Sequence, residues 1–84
     1  MSNINLIFTL NGQNILIQAR SDEMFAEAAL RYIQKAGLQE NDAPKFFFNS
    51  AELKFESGKS LSEYNMRDRA QINVVLASNV IGAK

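Results

Sequence analysis

The first twenty residues restrict the fold most, because two runs of alternating apolar side chains flank the pair Asn11-Gly12. Ile4, Leu6, Phe8 and Leu10 alternate with Asn5, Ile7 and Thr9. Ile15, Ile17 and Ala19 repeat the same period of two. Such a period marks strands with one buried face. Asn-Gly tolerates positive φ at both central positions of a tight turn, so it predicts a hairpin. A two-residue turn pairs Leu10 with Gln13, Phe8 with Ile15, Leu6 with Ile17 and Ile4 with Ala19. The last three pairs are apolar and share one face, and a slip of one residue would turn every one of them outward. The same register sets Ile7 against Leu16 on the opposite face, where a sheet meeting only water would carry polar residues.

Downstream the period changes. Phe25, Ala28, Ala29, Tyr32, Ile33 and Ala36 recur at steps of three and four, which predicts an amphipathic helix with one apolar stripe. Ser21-Asp22-Glu23 supplies a capping side chain and acids at the positive end of the helix dipole. Glu27 and Arg31 form a supporting pair four residues apart. Gly37 is expected to stop the helix in a left-handed conformation, with Leu38 making the accompanying apolar contact. Lys45 to Phe48 is strongly β-prone, and Asn49-Ser50 reads as a turn. Glu52 to Glu56 is expected to form a short edge strand with Leu53 and Phe55 on one side. Ser57-Gly58 reads as a further turn, and Ser60 to Met66 as a single helical turn. Gln71 to Leu76 alternates again, with Ile72, Val74 and Leu76 inward and Asn73 and Val75 outward. One helix on one face of a mixed sheet is an α+β arrangement.

Composition narrows the chemistry. The chain of 84 residues has room for one small core. It contains no cysteine and no histidine, which removes thiolate chemistry, disulfides, and the commonest general base and metal ligand. Ser60 and Ser62 have no histidine to activate them. Asp22, Glu23 and Glu27 are explained by the helix start. Nine basic and nine acidic residues cancel, whereas a nucleic-acid binder shows a basic excess or stripe. Lys59, Arg67 and Arg69 are read as a solvated rim. No apolar run approaches the length of a membrane span, and Met1-Ser2-Asn3 does not begin a secretory signal. We therefore expect a cytoplasmic or nuclear protein that is not an enzyme. We expect no cofactor or metal, and no nucleic-acid, membrane or small-molecule partner.

Gly58-Lys59-Ser60-Leu61-Ser62-Glu63-Tyr64-Asn65-Met66 resembles the ubiquitin segment Gly-Arg-Thr-Leu-Ser-Asp-Tyr-Asn-Ile. Lys45-Phe46-Phe47-Phe48 is similar to ubiquitin's Arg-Leu-Ile-Phe, Gln71 to Leu76 to its Thr-Leu-His-Leu-Val-Leu, and Thr9 to Gly12 to its Thr-Leu-Thr-Gly. The resemblance spans roughly residues 4 to 76. It implies a β-grasp (ubiquitin-like) fold, a mixed sheet of four to five strands packed on one helix. The domain would occupy residues 1–78, with 79–84 as a flexible tail or linker. Within it Leu61 and Met66 are expected to plug one end of the core. The Tyr64 hydroxyl is expected to bond backbone groups of the Glu56 to Gly58 turn.

The resemblance also implies a recognition surface on the open sheet face. Ubiquitin's patch consists of a hairpin leucine, a strand isoleucine, and a histidine and a valine on the last strand. These correspond to Leu10, Phe47, Asn73 and Val75. With ubiquitin's strand order (second, first, last, third), Leu16, Ile7, Val75 and Phe47 would lie on neighbouring strands as an apolar stripe, the kind of feature that marks an interaction site. Phe47, its aromatic member, would be the energetic centre. The function expected is non-covalent binding of protein partners, either receptors or subunits of a larger assembly. An alternative is a protein modifier conjugated through Gly82 after removal of Ala83-Lys84. Ubiquitin's linkage lysines correspond here to residues that include Gln13, Ala51 and Asp68, which argues against chain building.

Overall fold

A computed structural model of the chain describes residues 3–77. The Asn11-Gly12 turn forms as its residue types demand. Asn11 has φ 52° and Gly12 φ 80°, and the turn joins β1 (Asn3–Leu10) to β2 (Gln13–Arg20). The antiparallel register is Leu10 to Gln13, Phe8 to Ile15, Ile7 to Leu16, Leu6 to Ile17 and Ile4 to Ala19, so turn and apolar pattern select the same pairing.

The helix α1 (Phe25–Ala36) buries Phe25, Ala28, Ala29 and Tyr32. Gly37 ends it with φ 74°. The Gly37 N–H donates to the Gln34 carbonyl and the Leu38 N–H to the Ile33 carbonyl, the two bonds of a Schellman motif. Leu38 and Ile33 both pack against the core. Its start differs from the expectation. Met24 occupies the cap position and no side chain caps the helix. Instead the Phe25 N–H donates to the Lys59 carbonyl across 3.1 Å, while the Leu61 N–H donates to the Glu23 carbonyl at 2.8 Å. A distant backbone segment thus satisfies the first free donor of the helix, and no hydroxyl or carboxylate is needed there.

Three further strands complete the sheet: β3 (Pro44–Phe48), β4 (Ala51–Leu53) and β5 (Ala70–Leu76). Asn49 and Ser50, with φ 53° and 68°, make the turn between β3 and β4. The strand order is β2-β1-β5-β3-β4, with β1 and β5 parallel and the other neighbours antiparallel. This open five-stranded mixed sheet on one helix is an α+β architecture consistent with a β-grasp fold, and it does not close into a barrel. β4 is shorter than expected. It ends at Leu53, and Phe55 begins a 3-10 turn, Phe55–Ser57. The Phe55 ring turns back toward the Phe25 and Phe46 rings, with centroids at 6.1 and 5.9 Å.

One core joins sheet and helix. Phe8 stacks on Tyr32 with centroids 4.5 Å apart and planes 10° from parallel, and Phe46 meets Phe8 and Phe25 edge-on. Leu61 and Met66 are buried at one end, as the sequence predicts. In the same segment Ser60 and Glu63 bond reciprocally. The Ser60 N–H donates to Glu63 Oε1 at 2.7 Å and the Glu63 N–H to Ser60 Oγ at 3.3 Å, a capping box on the 3-10 turn Ser62–Tyr64.

Candidate protein-binding face

Alternation along each strand decides which side chains leave the helix-covered side. Leu6, Phe8, Ile17, Ile72, Val74 and Phe46 are buried. Their sequence neighbours Ile7, Leu16, Asn73, Val75 and Phe47 therefore lie on the opposite, open face. Leu16 is 52% exposed and Val75 41%, while Ile7 and Phe47 are half-buried within the sheet surface.

The register places these residues in two groups, not in one stripe. Ile7 stands directly opposite Leu16 on β2. Counting pairs from the turn makes this a non-hydrogen-bonded pair, whose Cα atoms approach to about 4.5 Å. On its other side Ile7 faces Gln71, and Thr9 faces Asn73. Phe47 faces Asn73 and Glu52, whereas Val75 faces Lys45. Phe47 and Val75 are thus diagonal neighbours, about 7 to 8 Å apart by strand geometry. Gln71 and Asn73 separate this pair from Ile7 and Leu16. The expectation of four apolar side chains in succession is corrected accordingly. The parallel register of β1 and β5 inserts two amides, and no tight turn in the sequence announces that register.

Leu10 requires a second correction. It shares the parity of Ile4, Leu6 and Phe8 and packs against the core, so it lies on the helix side of the sheet. The two-residue turn closes before the chain can swing Leu10 outward. Asn73 is exposed on the open face at the centre of the polar seam. Gly82, the conjugation candidate, lies outside the described residues.

The charge of this face is distinctive. Around the two apolar pairs stand Asn5, Thr9, Asn14, Gln18, Gln71 and Asn73, and Thr9 Oγ1 donates to Asn14 Oδ1 at 2.8 Å. Charged groups adjoin the second pair, with Lys45 opposite Val75 and Glu52 opposite Phe47, and Arg20 lies at the end of β2. Centres of protein interfaces are depleted of charge, and the surroundings of Ile7 and Leu16 fit that description.

Elsewhere several charged side chains bond one another or the backbone. Arg31 does not pair with Glu27 but forms an ion pair with Glu23, and its Nη2 also donates to the Gln18 carbonyl at 2.9 Å. The Arg31 hydrogen bond holds the Glu23 carboxyl below the usual carboxylate range, against the opposing effect of burial. The same hydrogen bond raises the Arg31 guanidinium. Arg20 Nε approaches Asp22 at 3.3 Å. Lys35 Nζ donates to the Leu16 carbonyl at 3.4 Å. Two helix cations therefore occupy carbonyls on the outer edge of β2, which hinders the addition of another strand there. Lys59 Nζ lies 5.6 Å from the centre of the Tyr64 ring. No helix among the described residues is long and apolar enough to cross a membrane. No protein-family model and no curated protein matches the sequence.

Proposed function

We propose that this domain is a non-covalent protein-interaction module of the ubiquitin-like type, docking partners on the open face of its sheet. One observation carries the reading: Leu16 and Val75 are 52% and 41% exposed on the open sheet face, and Ile7 and Phe47 lie on that same face. A face serving only as a solvated surface has no use for large apolar side chains on β1, β2, β3 and β5 together. Ile7 and Phe47 lie lower in the surface and supply rigid apolar area. Asn73, Gln71 and Thr9 supply hydrogen-bonding groups that a partner can satisfy between the two apolar pairs. The resemblance of Gly58 to Met66 to ubiquitin supports the same mode of action. The partners are proteins with a complementary apolar surface and polar groups at its centre.

The test is a Phe47→Ala/Val75→Ala double variant used as bait beside the parent chain, with captured proteins identified and confirmed by purified binding. The expected result is loss of direct partners with an unchanged circular dichroism spectrum. Equal binding by a folded double variant would refute the proposal.

A further inference from the structure

We propose that Asn11-Gly12 is a site of spontaneous covalent modification, at which the Asn11 side chain loses ammonia and the turn passes into aspartyl and isoaspartyl forms. This reaction is independent of what binds the sheet. Asparagine is one of the thermolabile residues, and its conversion needs only water. The Gly12 amide nitrogen, once it gives its proton to hydroxide, attacks Asn11 Cγ. A nitrogen–carbon bond closes an imide ring. The bond from Cγ to the side-chain nitrogen breaks, and that nitrogen leaves as ammonia. Water then opens the imide at either carbonyl. Attack at Cγ gives aspartate. Attack at the backbone carbonyl gives isoaspartate, whose chain runs on through Cγ. Each product carries one added carboxylate, and no oxidant or reductant takes part.

The turn favours the first step in three ways. Asn11 and Gly12 are both exposed, so hydroxide reaches the amide. Among the described residues nothing accepts a hydrogen bond from the Gly12 N–H, so its proton is free to leave. Gly12 has no Cβ, and even an added one would meet nothing within 4 Å, so the nitrogen is unshielded. Other asparagines lack this combination. After Asn41 and Asn65 the next N–H is engaged: Asp42 donates to the Gln39 carbonyl and Met66 to the Leu61 carbonyl, each at 3.0 Å. Asn5, Asn14 and Asn73 precede Leu6, Ile15 and Val74, bulky residues in paired strands. Asn49-Ser50 comes nearest, an exposed turn in which the Ser50 Cβ crowds the nitrogen.

The two products differ in their effect on the hairpin. The connection from Leu10 to Gln13 holds only Asn11 and Gly12, both at positive φ. Asp-Gly suits that turn as Asn-Gly does. Isoaspartate adds a backbone carbon, so the closing Leu10–Gln13 pair loses the loop length that fixes its register.

Incubation of the full folded chain in mildly alkaline buffer, followed by peptide mapping that separates aspartyl from isoaspartyl linkages, tests this. Asn11 should convert first, to both products, and faster as pH rises. Asn49 is an internal reference that needs no variant, and it should convert several-fold more slowly. Gly12→Ala, with circular dichroism matching the parent, should slow conversion of Asn11 by about tenfold through its Cβ. The purified isoaspartyl chain should unfold at lower urea than Asn11→Asp, which carries the same charge. Asn11 left intact while another asparagine converts, conversion in urea but not in the folded chain, or a rate untouched by Gly12→Ala would overturn the inference. Equal urea midpoints for the isoaspartyl chain and Asn11→Asp would overturn its effect on the hairpin.

Discussion

Tyr64 donates its phenolic proton to Ser57 Oγ across 2.7 Å, because the Ser57 hydroxyl has already given its own proton to the Lys54 carbonyl at 2.9 Å. Sequence reasoning placed the Tyr64 partner on the backbone of that turn. The bond reaches the same turn through a side chain. Ser57→Ala leaves the phenol without this acceptor and should lower stability by about 1 kcal/mol, and Tyr64→Phe by a similar amount. A double-mutant cycle in urea should give a coupling close to the Tyr64→Phe loss, since Ser57→Ala removes that bond and the one to the Lys54 carbonyl as well. Full additivity would show that the two hydroxyls do not interact.

The stacked rings of Phe8 and Tyr32 tie the central strand to the helix, with both side chains almost wholly buried. Removing the Phe8 ring leaves a cavity beneath Tyr32 and Phe46. Phe8→Ala should cost about 3 to 5 kcal/mol, a large part of the stability of a domain this small. Denaturant titration should record a much lower midpoint. Val75→Ala, on the exposed face, should shift the midpoint far less.

The Glu23–Arg31 pair gives folding a pH dependence of defined sign. The carboxyl pKa is lower in the folded chain than in the unfolded one, mainly through the Arg31 hydrogen bond. The pair therefore stabilises fully above the unfolded glutamate range, and its contribution fades as pH falls through the folded value. Glu23→Gln should flatten this part of the acid-unfolding profile and lower stability near neutral pH by about 1 kcal/mol or less, because Arg31 is partly solvated. Melting curves from neutral to acidic pH of parent and variant would check it. Parallel profiles would remove Glu23 from the account.

Gly37 has φ 74°, and a methyl group there would meet no atom within 4 Å. The cost of Gly37→Ala is thus conformational, about 1 kcal/mol for holding an L-residue in the left-handed region. Gly37→Asn should cost less, because Asn enters that region more easily. Both are read from urea midpoints, and equal losses would point to a steric cause.

Features governed by neighbours in sequence were legible before any coordinates. The Asn11-Gly12 turn and the period of two determine the Phe8–Ile15 and Ile7–Leu16 pairings. The three- and four-residue recurrence and Gly37 determine the helix and its end. Each rests on contacts a few residues apart. Tertiary structure decided what depends on segments distant in the chain. The register of β1 against β5 set Gln71 and Asn73 between the two apolar pairs. The Lys59 carbonyl, and not Ser21 or Asp22, took up the first N–H of the helix. Glu23 displaced Glu27 as the partner of Arg31. Long-range pairing is chosen by the summed packing of the whole core, and no local pattern carries that sum.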